Sequence, residues 1–110
     1  MEAEYCIVLC TCPDPASADK IAKSLVSEQL AACVNIIPGI KSVYTWQGET
    51  TSSQELQLII KSRYEYFATL QRRINTLHPY ELPEIVAVPI VAGLPEYLTW
   101  IDESTRHTAD

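Results

Sequence analysis

Leu30-Ala31-Ala32-Cys33-Val34-Asn35-Ile36-Ile37-Pro38-Gly39-Ile40-Lys41-Ser42-Val43-Tyr44-Thr45-Trp46-Gln47-Gly48-Glu49 takes the chain from the end of a helix into a long hairpin. Ala32 to Trp46 is rich in β-formers and is interrupted once, at Pro38-Gly39, so it reads as the first arm. Trp46-Gln47-Gly48-Glu49 reads as the turn, because a glycine next to a polar residue between two β-rich runs supplies the left-handed backbone that a tight hairpin needs. The return arm reads as about Gln54 to Lys61. There Leu56, Leu58 and Ile60 point one way and Glu55, Gln57, Ile59 and Lys61 the other. On the first arm Ser42, Tyr44 and Trp46 share a face. Both arms are long for a chain of 110 residues.

Upstream of the hairpin, Tyr5-Cys6-Ile7-Val8-Leu9-Cys10-Thr11 is an almost unbroken apolar run, the pattern of a strand buried on both faces. Pro13-Asp14-Pro15 opens a helix, with Asp14 as cap and Pro15 in the first position, where a missing N–H costs nothing. The helix reads to about Gln29, with Ala18, Ile21, Ala22, Leu25 and Val26 as its apolar stripe. Downstream, Ser62-Arg63-Tyr64-Glu65 has the form of a capping box. It introduces a second helix striped by Phe67, Leu70, Ile74 and Leu77. That helix must stop near His78, since Pro79 disfavours helix in the residue before it. Ile85 to Val91 reads as a strand, and its internal Pro89 places it at a sheet edge. Leu94 to Asp102 reads as a short last helix, followed by a polar tail, Glu103 to Asp110.

The order strand, helix, strand, strand, helix, strand, helix, wound with right-handed crossovers, predicts a ferredoxin-like α+β sandwich. It forms one domain over residues 1–110, with an antiparallel sheet whose first and third strands are central. Helices cover only one face of such a sheet. Because the first and last strands are apolar on both faces, the second face needs a cover, and another copy of the chain is the economical one. A homo-oligomer is therefore expected.

Composition narrows the function. At 47% hydrophobic and 20% charged the chain is globular, and no apolar run approaches the roughly 20 residues of a membrane helix. The acidic start Met1-Glu2-Ala3-Glu4 lacks the basic region of a signal peptide, which points to the cytoplasm and to free thiols at all four cysteines. The net charge of −6, with eight scattered basic residues, argues against nucleic acid. Arg72-Arg73, the only basic doublet, reads as a solvated helix face. Three glycines and no glycine-rich loop leave no phosphate cradle. Glu81 and Glu84 beside His78 are unaccompanied by a nucleophile, so no enzyme is expected. They read as solvent-facing, or as a hard supplement to a metal.

The segments Leu30-Ala31-Ala32-Cys33-Val34-Asn35, Ile37-Pro38-Gly39, Ser42-Val43-Tyr44-Thr45-Trp46-Gln47-Gly48, His78-Pro79-Tyr80-Glu81, Pro83-Glu84-Ile85 and Tyr97-Leu98-Thr99-Trp100 occur in unbroken order. In this the chain resembles the CutA divalent-cation tolerance proteins. The resemblance implies a cytoplasmic, non-enzymatic homotrimer with sheet faces packed inward and hairpins exchanged between neighbours. Copper and other divalent metals are the ligands it implies. Tyr44 and Trp46 then read as interface residues rather than as a stacking platform for a ring.

Thiolate and imidazole suit soft or borderline ions such as copper and zinc, and the chain offers Cys6, Cys10, Cys12, Cys33, His78 and His107. The first strand ends at Cys10 to Cys12 and the second helix ends at His78, so the topology predicts that Cys10, Cys12 and His78 meet at one end of the fold. Cys33 opens the second strand at the opposite end and could join a metal site only across a subunit interface. The resemblance maps the family's copper ligands onto Cys10 and His78. Where some members carry a second histidine just before the first, this chain has Leu77. A cysteine in an apolar strand is also a small buried hydrophobe, the reading favoured for Cys6 and Cys33, and for Cys10 with His78 both readings stand. A second functional class is open as well: a signalling module like the trimeric PII regulators, taking a small effector between subunits.

Overall fold

A computed structural model describes residues 4–105. His107 and most of the expected polar tail lie outside the described residues, as does the start at Met1 to Ala3. The elements run β1 (Tyr5–Cys12), α1 (Pro15–Ser27), β2 (Cys33–Trp46), β3 (Glu49–Arg63), a 3₁₀ turn (Tyr64–Tyr66), α2 (Phe67–Leu77), β4 (Val86–Pro89) and α3 (Pro95–Ser104). All strand pairs are antiparallel, in the sheet order β2-β3-β1-β4. β1 and β3 are central, and the proline-bearing β2 and β4 are edges. This is the predicted α+β arrangement.

Cys6, Val8, Cys10 and Cys12 point from β1 to one side and pack with Leu58 and Ile60 of β3, Ala18, Ile21 and Leu25 of α1, and Leu70 and Ile74 of α2. The expected stripes of both helices thus face the core, except that Val26 is 42% exposed. Gln29 turns left-handed at φ 61°, and the Leu30 N–H reaches back to Leu25 O at 2.9 Å, which closes the helix. At the other end Asp14 caps as predicted, accepting from Ser17 N at 2.8 Å. That bond holds the Asp14 carboxyl below its ordinary range. Its contribution is complete above the unfolded carboxylate value of about 3.9 and is lost as pH falls through the lowered folded value. Asp14→Ala is accordingly expected to lower the thermal midpoint near neutrality, with the gap to wild type closing in acid, as thermal melts across the acid range will read.

The capping box does not form. Ser62 remains in β3, opposite Cys6, with its hydroxyl buried and donating to Leu30 O at 2.6 Å. Glu65 pairs instead with Arg63, and α2 starts two residues beyond Glu65, at Phe67. A buried ladder position that satisfies its own hydroxyl outweighs a solvent-side cap. The return arm is also longer than predicted. Trp46 pairs directly with Glu49 across Gln47 and Gly48, both at positive φ, a two-residue turn that leaves no room for a loop before Gln54.

β1 covers β3 only from Leu56 to Arg63. The rest of the hairpin, at roughly 3.3 Å per residue, projects beyond the sheet and gives the molecule its 44 Å long axis. Partway along β2 the register jumps: Ile37 opposes Gln57, but Ile40 opposes Glu55, with Gly39 at φ 78° between them. This bulge adds one residue and transfers the following even-numbered side chains to the other face. Tyr44 and Trp46 thereby join Ile59 and Glu55, opposite Val34 and Ile36.

That second face is only partly covered. On β1, Ile7 and Leu9 are half-buried rather than buried as the unbroken apolar run implied, and Val86 and Val88 beside them are 47% and 43% exposed. One end is closed by α3, whose Ile101 is fully buried and whose Asp102 takes the Tyr5 hydroxyl at 2.7 Å and the Arg63 guanidinium. The predicted strand Ile85–Val91 pairs only over Val86–Pro89. Ile90 adds one further bond to Tyr5 O past Pro89, and at the other end pairing stops at Leu9 with Val86. The last residues of β1 therefore have a free edge.

Candidate metal centre

Of the six candidate ligands, Cys10, Cys12 and His78 converge at that free edge. Cys10 and Cys12 are two residues apart on β1 and so point to the same side. His78 sits where α2 stops, its N–H still bonded to Ile74 O at 2.8 Å and its own backbone already extended. One donor atom from each lies within 4.8 Å of the others, and all three residues are buried. Among the described residues no carboxylate belongs to this cluster. Cys33 lies elsewhere, at the start of β2 on the opposite sheet face, with its sulfur 3.9 Å from Lys61 Nζ. Cys6 is a core residue whose thiol burial pushes up to about 11. All four cysteines are free.

The two thiols of the cluster are unequal. Cys10 holds its proton well above the ordinary thiol range, first because it shares a hydrogen bond with Cys12 and then because it is buried. The same bond, helped by Ser17, lowers Cys12, so Cys12 is the readier thiolate. Nearby charge is acidic: Glu55 acts on both thiols, Glu84 on Cys10 and Asp14 on Cys12. A cation entering here would meet no electrostatic opposition from these groups.

His78 uses both ring nitrogens. Nδ1 accepts from the Tyr80 N–H at 3.1 Å, which assigns the ring proton to Nε2, and Nε2 donates it to Thr11 O at 2.7 Å. By strand alternation the Thr11 carbonyl points toward the β4 side, as does that of Tyr5, at a position β4 does not reach. The shortness of β4 is therefore what leaves an acceptor for the imidazole. The neighbouring Cys10 carbonyl accepts from Gln57 Nε2 at 3.1 Å, which stiffens the same strand end.

Two participants escaped sequence reasoning. Glu55 was an outward residue of an alternating strand, yet it is 7% exposed and accepts the Tyr80 hydroxyl at 2.7 Å. Burial and that bond raise the Tyr80 phenol above its ordinary value. The local signal, a carboxylate amid alternating apolar residues, does not distinguish a solvated position from a covered one. Glu81 and Glu84 are both exposed.

A family model described as CutA1 divalent ion tolerance protein matches residues 6–104. A "Divalent-cation tolerance protein CutA" of Thermus thermophilus is 52% identical over 99 residues, covering 90% of this chain and 96% of the relative. The solved structure of the divalent cation tolerance protein (Cut A1) from Thermus thermophilus superposes with a TM-score of 0.90 at 51% identity, over 92% of this chain and 98% of that one. A plant relative, "Protein CutA, chloroplastic" of Arabidopsis thaliana, is 46% identical over 92% of this chain, which spans 56% of its length. No helix among the described residues is long and apolar enough to cross a membrane.

Proposed function

The chain belongs to the CutA1 divalent ion tolerance family, and from that premise we propose that it is a cytoplasmic, non-enzymatic homotrimer that binds copper and related divalent metals. Cys10, Cys12 and His78 are the ligands, and Cys33 contributes only if a neighbouring subunit brings it to a shared site. The observation that carries this reading is the buried cluster of two thiols and one imidazole within 4.8 Å. Such a donor set suits a soft or borderline ion and is poor for magnesium or calcium, which take oxygen ligands. The metal is cargo. Binding displaces the thiol protons, and because the imidazole is engaged on both nitrogens, the sulfurs bind first. Tolerance then follows from withdrawing the ion into a buried site.

Assembly is supported by the half-covered sheet face and by Val43 and Trp46, 65% and 64% exposed on a hairpin that outreaches its sheet. Aromatic residues dominate the cores of interfaces. The test is the mass of the purified native protein in solution together with its metal inventory. Three subunits carrying copper or zinc are expected; a monomer would overturn the assembly. A metal-free protein stabilised by a metabolite in a thermal-shift screen, and not by metals, would favour the PII-like effector module instead.

A further inference from the structure

We infer that the Glu55–Tyr80 hydrogen bond is a latch that holds His78 in a non-coordinating state, so that Glu55 and Tyr80 are positioning residues for the imidazole. The consequence for metal uptake rests on the proposed function; the effect on the ring does not.

The mechanical chain is short. Tyr80 donates its hydroxyl to Glu55 at 2.7 Å on β3, and its backbone N–H occupies His78 Nδ1 at 3.1 Å. Between them stands Pro79, whose ring restricts the backbone, so the tyrosine amide cannot easily leave the histidine while the phenol is tethered. The two rings lie 4.9 Å apart, packed at an angle of 46°. With Nδ1 accepting, the ring proton is committed to Nε2 and to Thr11 O. No lone pair of the imidazole is then available to a metal. A metal-ligating histidine ordinarily keeps one ring nitrogen on a backbone or carboxylate partner and gives the other to the ion. Here one bond too many is made, and the Tyr80 N–H is the one that the latch controls.

Glu55 has its own reason to hold the tyrosine. It is buried, and among the described residues no basic side chain pairs with it. The phenol is the donor that satisfies it. Opening the latch therefore frees an imidazole and a carboxylate at the same end of the fold as two thiols, which favours opening when a cation arrives.

The test uses the full chain. Two-dimensional ¹⁵N–¹H spectra of the His78 ring, told apart from His107 by its absence in His78→Ala, report the tautomer, and stopped-flow absorbance of the thiolate–cadmium band reports uptake, with cadmium as the probe. In wild type a single Nε2–H tautomer is expected. Tyr80→Phe and Glu55→Ala are expected to give mixed tautomers and cadmium uptake faster by roughly two- to tenfold, the population change that one net hydrogen bond commands. Glu55→Gln, which keeps an acceptor, is expected to behave as wild type. A pure Nε2–H tautomer in Tyr80→Phe with native backbone shifts overturns the latch. A tautomer that shifts as expected in a protein that never binds cadmium supports the latch and overturns the metal-binding reading.

Discussion

Cys10→Ser and Cys12→Ser are each expected to weaken cadmium and copper binding by more than the roughly 10–100-fold that loss of an outer-shell partner costs. A hydroxyl replaces a soft donor in a set of three, and serine does not ionise in this range, so the site loses both a ligand and its charge. The loss should be measured by competition against a chromophoric chelator. His78→Ala is expected to lose less, because in the free protein the imidazole is already bonded at both nitrogens and must give up one bond to coordinate. Cys33→Ser serves as the control, since its sulfur stands apart on the other sheet face beside Lys61. Unchanged affinity in both Cys10→Ser and Cys12→Ser would remove the site. A loss in Cys33→Ser that disappears on dilution would place that residue in a site shared between subunits.

Ile60→Ala is expected to destabilise the protein by about 2–5 kcal/mol, the cost of a cavity in a core that relaxes only partly. Ile60 is fully buried on central strand β3, paired with Val8 on one side and Val34 on the other. Denaturant unfolding with an unchanged slope will read the loss. The informative comparison is Ile59→Ala, one residue away on the opposite face. In a single chain Ile59 is half-buried against Leu9 and Asn35, and its truncation should cost distinctly less than that of Ile60. If another copy covers that face, the two costs converge and the Ile59 variant becomes sensitive to protein concentration. Costs that stay far apart at every concentration would leave the face uncovered and overturn the homotrimer.

Local chemistry carried most of the architecture. Asp14 beside Pro15 favours a helix start, Pro79 disfavours helix in the residue before it, and Pro89 with Pro38 marks the edges of the sheet. Each of these acts within two or three residues, so no tertiary information was needed to place them. The capping-box pattern at Ser62 is overridden because the competing partner, the Leu30 carbonyl, lies 32 residues away in sequence. β4 is shorter than its apolar pattern, because apolar character continues to Val91 although the ladder with β1 does not.

The candidate centre divides along the same line. That Cys10, Cys12 and His78 share one end of the fold follows from strand direction and helix termination alone, both readable from apolar periodicity and one proline. The hairpin likewise follows from its turn and its alternation. Tertiary structure alone decided which face Tyr44 and Trp46 take, because a one-residue bulge at Pro38-Gly39 inverts every side chain beyond it and is defined only by the partner strand. It also decided that His78 holds both nitrogens on backbone groups and that Glu55 lies buried beneath Tyr80. The Tyr80 N–H bond to His78 spans only two residues, but the bonds of His78 to Thr11 and of Tyr80 to Glu55 join residues 67 and 25 positions apart, and a hydrogen bond at that separation is set by register and packing, which periodicity along one segment does not encode.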